Sequence, residues 1–340
     1  MYHGMINVYK EAGYTSHDVV AKLRGICKQK RIGHTGTLDP DAVGVLPVCL
    51  GNGTRLCDML TDKDKEYVAD FCLGITTDTQ DISGTVLEKK DADVSAEDVE
   101  KAAALFVGEY LQLPPMYSAL KVGGKKLCDL ARAGKEVERT PRPVTVYSLE
   151  FLKKEHPCYT IRVACSKGTY IRTLCHDIGQ RLGCGAVMTK LVRTKAGEFG
   201  IENALTLEKL EEMAKVGTLL EAVIPVEKMF RALPAVSVRE AGFKALRNGN
   251  RLRAEDVTAF EEDKAAENAK AAGERVPEAA SKADKEKGNA GAAGESRGVP
   301  GGEVRMYNHQ GIFYGIYRYE AEREMYVPVK MFLPGDNVCG

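Results

Sequence analysis

The chain has 340 residues, 44% hydrophobic and 28% charged, with 48 Lys/Arg balanced by 48 Asp/Glu. That length supports a sizeable core and two domains. No apolar run approaches the roughly 18 residues of a membrane span, and no signal-peptide segment is present, so a cytoplasmic protein away from the membrane is expected. Ten cysteines without a CxxC pair and six scattered histidines argue against a zinc site. Cys49, Cys72, Cys165 and Cys175 stand in apolar runs, where cysteine acts as a small hydrophobe and a reducing compartment is implied.

Ile6 to Tyr9 reads as a short strand. Thr15 or Ser16 then offers an N-cap for a helix through Cys27, with Val19, Val20, Leu23 and Cys27 on one face. A glycine-rich loop follows, Gly33-His34-Thr35-Gly36-Thr37-Leu38-Asp39-Pro40, leading into an apolar strand at Val45–Leu50. Pro40 fixes its own φ and biases Asp39 towards an extended conformation, so the carboxylate sits on a stiffened loop. From Tyr67 to Leu73 the pattern alternates as a strand with Tyr67, Ala69, Phe71 and Leu73 on one side. Ser95 opens a helix ending near Val107.

Zero net charge conceals a strong asymmetry along the chain. Residues 56–113 hold 5 Lys/Arg against 14 Asp/Glu, whereas residues 115–195 hold 16 against 6. Such a basic segment suits a face that steers a polyanion. Within it, residues 121–143 form an excursion marked by Gly123-Gly124 and two X-Pro steps, with seven Lys/Arg from Lys121 to Arg142. Alternating strands follow at Val144–Leu152 and Tyr159–Cys165, then a helix from Thr169 to Leu182 stopped by Gly183. Strands and helices mix without a strict βαβ rhythm, so the class is α+β.

Residues 254–302 are Ala, Glu, Lys and Gly with no aromatic after Phe260, a composition unable to bury enough surface to offset ordering. An unstructured insertion over 255–302 is expected. Beyond it, Val304–Asn308, Ile312–Tyr319 and Met325–Phe332 read as strands and, with residues 235–251, predict a small β-rich module. The expected domains are 1–228 and 229–340.

The Gly33–Pro40 segment resembles the signature of the bacterial tRNA pseudouridine synthase B (TruB) family, which modifies uridine 55 in the T loop of tRNA. Four further segments resemble it in the same order: Lys65-Glu66-Tyr67-Val68, Thr77-Asp78-Thr79-Gln80-Asp81, Pro115 to Lys121, and Cys165 to Leu174. The likeness runs from about Met5 to Pro225 and is weaker at the C-terminus; Lys10-Glu11 departs from the family's usual Lys-Pro. It implies the pseudouridine synthase fold, a bent and mostly antiparallel mixed sheet flanked by helices, followed by a PUA-like domain. The implied substrate is the T arm of tRNA, bound by a monomer that needs no protein partner, cofactor or metal.

The reaction breaks the N1–C1′ bond of a uridine, turns the base and rejoins it through C5, with no net redox change. By the resemblance, Asp39 is the catalytic carboxylate and Arg172 its partner, a pairing that suits the planar guanidinium fork. Tyr67 is the tyrosine stacking on the base, Tyr170 a second pocket tyrosine, and Leu191 an apolar neighbour. His34 enters the T loop in place of an extruded nucleotide, and Asp81 is a second acid of the cleft. The 121–143 excursion resembles the family's thumb, with Lys125, Lys126, Arg139 and Arg142 facing phosphates. Two other readings are a metal-assisted hydrolase using His34, Asp39, His176 and Asp177, and a tRNA-folding module with incidental catalysis.

Overall fold

The computed structural model describes residues 1–260 and 302–333. It divides into two compact units, one of Asn7–Val48 with Leu56–Lys215, the other of Met1–Ile6, Cys49–Arg55 and Val216–Gly340.

The first unit is built on a nine-stranded mixed sheet. Its main path runs Gly4–Lys10, Val43–Leu50, Ala186–Ala196, Lys65–Leu73, Cys158–Cys165, Arg142–Glu155, Gly108–Gln112. The Val43–Leu50 and Ala186–Ala196 pairing is parallel, and the pairings from Ala186–Ala196 through to Gly108–Gln112 are antiparallel. The 14-residue strand Arg142–Glu155 carries two register shifts against Cys158–Cys165, and bulges of this kind bend and twist a strand.

The Lys65–Leu73 strand alternates buried and half-buried residues along its whole length. Tyr67, Ala69, Phe71 and Leu73 point into a core with Ile161, Val163, Leu174, Cys175 and Ile178. Those last three come from the helix Ile171–Leu182, whose apolar stripe is what packs it on the sheet. The helix Ser16–Cys27 begins at Thr15 with a reciprocal cap: Thr15 Oγ1 accepts from the Asp18 N–H (3.1 Å), and the Thr15 N–H donates to the Asp18 carboxylate (2.8 Å). The helix begun at Ser95 spans only Ala96–Ala104. Phe106 and Val107 donate to carbonyls three residues back, tightening the turn into Gly108 instead of prolonging the α-helix.

The second unit holds a six-stranded sheet ordered Leu252–Arg253, Met325–Met331, Phe313–Glu320, Glu303–Tyr307, Ala235–Val238, Val257–Ala259. Its core gathers Val236, Val238, Leu246, Met306, Tyr317 and Tyr326.

The compact units part between Lys215 and Val216, and two N-terminal stretches group with the C-terminal unit. Met5 exchanges backbone hydrogen bonds with Ile224 (2.9 and 2.7 Å), and the Asn52 side chain donates to the Phe332 carbonyl (3.0 Å), contacts too remote in sequence to read from composition. The coil expected from residue 255 starts too early, since Val257–Ala259 pairs with Ala235–Val238 and Phe260 stacks on Tyr307; residues 261–301 of that expectation lie outside the described ones. Cys72 is not a free small hydrophobe. It is bonded to Cys158, its direct cross-strand partner, with Cα atoms 4.1 Å apart; register alone brings two such side chains together.

Gly44 has φ +105°, and a Cβ there would stand 2.3 Å from the Arg193 carbonyl oxygen across the parallel pair. Gly44→Ala should therefore destabilise the protein by about 3 kcal/mol or more, read as a lowered urea midpoint.

Burial pushes the Asp177 carboxyl, on the helix Ile171–Leu182, up to about 6. A raised carboxyl adds stability that is present in full below the ordinary aspartate value and is lost as pH rises through 6. Asp177→Asn should thus match the wild type near pH 4 and exceed it at pH 7 by on the order of 1–2 kcal/mol, measured by urea unfolding across pH.

Candidate active site

Arg172, on the first turn of the helix Ile171–Leu182, has a side chain only 5% exposed. Its guanidinium grips Asp39 in a bidentate fork, Nε to Oδ2 at 3.1 Å and Nη2 to Oδ1 at 3.3 Å. Nη1 donates to the Asp81 carboxylate (3.2 Å) and the Thr79 carbonyl (3.0 Å), and Nη2 also donates to the Tyr117 carbonyl (2.9 Å). Four hydrogen bonds and one ion-pair contact thus engage all three nitrogens of the guanidinium. Three sequence motifs far apart in the chain converge on this one side chain.

Local geometry fixes each partner. The Asp39 loop is stapled from below by Lys10, whose buried Nζ donates to the carbonyls of Ala42 (2.6 Å), Pro40 (2.9 Å) and Glu11 (3.0 Å). Ser16 Oγ takes the Leu38 N–H (2.9 Å) from the other side. Asp81 is held by Thr79 Oγ1 (2.8 Å) and by the Ser83 hydroxyl and N–H (2.5 and 3.1 Å). The helix bearing Arg172 starts at Tyr170, which has no capping side chain of its own. The buried Gln112 amide takes that role, accepting from the Tyr170 N–H (2.8 Å) and donating to its carbonyl (3.0 Å).

Asp39 is 41% exposed at its side chain, whereas Arg172 behind it is closed off from solvent. Burial raises the Asp39 carboxyl above its ordinary value, while the Arg172 guanidinium acts in the opposite direction. Tyr67 is buried on the Lys65–Leu73 strand, and desolvation raises its phenol, with Arg193 opposing. Leu191 is buried on Ala186–Ala196 opposite Ala69, two residues from Arg193 and on the same face of the strand. Desolvation raises the Tyr170 hydroxyl as well.

His34 is half-buried at the end of the short strand Ile32–His34, its ring 5.3 Å edge-on from His17. Its Nδ1 is buried without a hydrogen-bond partner, and burial holds the imidazole below its ordinary value, favouring the neutral ring. The thumb-like excursion folds as a tight pair of two-residue strands, Lys121–Val122 and Lys125–Lys126, then a short helix Leu127–Arg132. Lys125, Lys126 and Arg142 are exposed. Arg139 is instead largely covered, its Nη1 donating to the Pro114 carbonyl (3.0 Å), so it ties the excursion's return to its start.

Sequence reasoning passed over Lys10, Gln112 and Arg193. Arg193 carried a signal, because it falls on the buried parity of a strand with Leu191. Lys10 and Gln112 carried none beyond their place beside recognisable motifs. Among the described residues no group of three or more His, Cys, Asp or Glu is gathered to hold a metal, and no helix is long and apolar enough to cross a membrane.

Residues 24–171 match the model of the TruB family pseudouridylate synthase N-terminal domain, and residues 172–231 that of the tRNA pseudouridylate synthase B C-terminal domain. The chain is 46% identical to tRNA pseudouridine synthase B of Lachnoclostridium phytofermentans, over 97% of this chain and all of that protein. It is 44% identical to the Clostridium tetani protein of the same name, over 77% of this chain and 93% of that one. Among solved structures, a Cbf5-Nop10-Gar1 complex contains a chain of similar fold, with a TM-score of 0.64 and 27% identity over 98% of this chain and 86% of that one. Family models, near full-length identity and shared fold agree with the site's geometry: the chain belongs to the TruB family of pseudouridine synthases.

Proposed function

We propose that this tRNA pseudouridine synthase isomerises uridine 55 of the T loop, with Asp39 as the catalytic carboxylate acting on a base turned out of its stack. The observation that carries the reading is the bidentate Arg172–Asp39 pair: a carboxylate kept ionised in a partly desolvated cleft, next to a buried tyrosine.

The chemistry follows from these positions. Arg172 offsets the cost of desolvating the carboxylate, and its other donors hold the 79–81 loop and Tyr117, so the negative charge is aimed rather than merely paired. The N1–C1′ bond breaks, C5 bonds to C1′, the C5 proton leaves and N1 gains one, so atoms balance without a cofactor. Tyr67 supplies a flat face for the loosened base and a hydroxyl near its edge, with Tyr170 and Leu191 closing the pocket. His34, neutral and with one ring nitrogen free of partners, suits stacking in the gap left by the flipped nucleotide. Asp81 orients Arg172. Lys125, Lys126 and Arg142, exposed on the excursion, meet phosphates of the T arm, and Arg139 braces it.

The decisive measurement is pseudouridine mapping of total tRNA from cells lacking this protein; modification persisting at position 55 would overturn the reading. Asp39→Asn should lose all detectable single-turnover activity while tRNA affinity stays within a few fold. Arg172→Lys should lower the rate by at least about 100-fold, because a point charge cannot replace the fork.

Because burial raises the Asp39 carboxyl, the rate should climb with pH along a limb above the ordinary aspartate value of about 3.9. Weakening its cationic partner in Arg172→Lys should move that limb higher still. A limb unmoved in the variant would separate the two groups.

Binding should weaken steeply with salt, each phosphate contact on looped RNA adding a log–log slope of roughly −0.7. Neutralising Lys125, Lys126 and Arg142 should flatten the slope, and an unchanged slope would show that the excursion does not touch phosphates.

A further inference from the structure

We propose that Arg193 is a positioning residue for this reaction, a buried brace that ties the Asp39 loop to the strand bearing Tyr67 and so sets carboxylate against phenol. Arg193 lies on Ala186–Ala196 where three strands meet: it pairs with Gly44 on one side and with Tyr67 on the other. Its side chain is fully enclosed, at 1% exposure. Nε donates to the Val45 carbonyl (2.6 Å) and Nη2 to the Gly36 carbonyl (3.4 Å), two acceptors that bracket Asp39 in sequence. Tyr67 is the direct cross-strand partner of Arg193, and the guanidinium opposes the desolvation that raises its phenol.

The burial itself makes the case stronger. Both hydrogen-bond acceptors of Arg193 are carbonyls, and among the described residues it has no ion pair with a carboxylate. An enclosed guanidinium without a counter-ion is costly, and an apolar side chain would fill this inward strand position as Leu191 does. A planar fork is needed only if separate groups must be held at fixed mutual angles. The groups so held are the two ends of the Asp39 loop, fixed against the strand paired with the one that carries Tyr67. Arg172 sets the direction of the carboxylate; Arg193 sets how far its loop stands from Tyr67.

The inference rests on the reading of Asp39 and Tyr67 as the reacting pair. Arg193→Lys keeps the charge and most of the stem but cannot hold both carbonyls at the angles of the planar fork. It should lower kcat by about 10- to 100-fold, the scale of a misplacement near 1 Å, with KM within about 3-fold and the thermal midpoint little changed. In a Tyr67→Phe background the same substitution should cost several-fold less, since the hydroxyl whose distance from Asp39 the brace sets is already absent. A kcat within 2-fold of wild type, a loss confined to KM or stability, or an equal loss in both backgrounds would overturn the proposal. Should Arg193→Lys not fold, hydrogen exchange of Arg193→Met decides: faster exchange across residues 35–46 than across the rest of the sheet supports the brace, and unchanged exchange there overturns it. Full activity in Asp39→Asn would instead sink the underlying reading, whatever Arg193 does.

Discussion

The arrangement depends on one guanidinium having all three of its nitrogens engaged. Arg172 is closed to solvent, so each N–H without an acceptor would cost on the order of 1–3 kcal/mol. The fold supplies five acceptors from three separate loops, and in doing so it draws Asp39, Thr79, Asp81 and Tyr117 to one point. The pair is bounded by two carboxylates around a single cation, which leaves a net negative site inside an otherwise cationic surround.

That surround is unusual in how it is built. Lys10, Lys65 and Arg193 are buried, and the hydrogen bonds of all three run to backbone carbonyls. Burial pulls Lys10 and Lys65 down to about 8. These cations anchor loop ends through partial charges rather than ion pairs, and the field of Lys10 reaches Asp39 while that of Arg193 reaches Tyr67. A polyanionic substrate entering the cleft meets that field at short range, where little solvent screens it.

Much of this was legible in the chain. The alternation Tyr67-Ala69-Phe71-Leu73 named its own core face, and Thr15 and Ser95 named their helices, because those signals are local. The family likeness of five collinear motifs pointed at Asp39, Arg172 and Asp81 before any distance was known. What stayed hidden was what long-range register creates. Cys72 meets Cys158, Val257–Ala259 becomes a strand, and Met5 and Asn52 join a unit centred two hundred residues away, all through partners absent from their own windows. Gln112 belongs to the same class: an amide in an edge strand says nothing of the helix it caps.

The Gln112 cap also decides how the basic excursion can move. Its first strand-side anchor is Gln112 on Tyr170, its next is the Tyr117 carbonyl on Arg172, and its return leg is clamped by Arg139 on Pro114. Its far end turns at Gly123 and Gly124, both at positive φ with nothing packed where a side chain would be. The root of the excursion is therefore shared with the Arg172–Asp39 pair: a rotation of that root would strip an acceptor from the same guanidinium that holds Asp39.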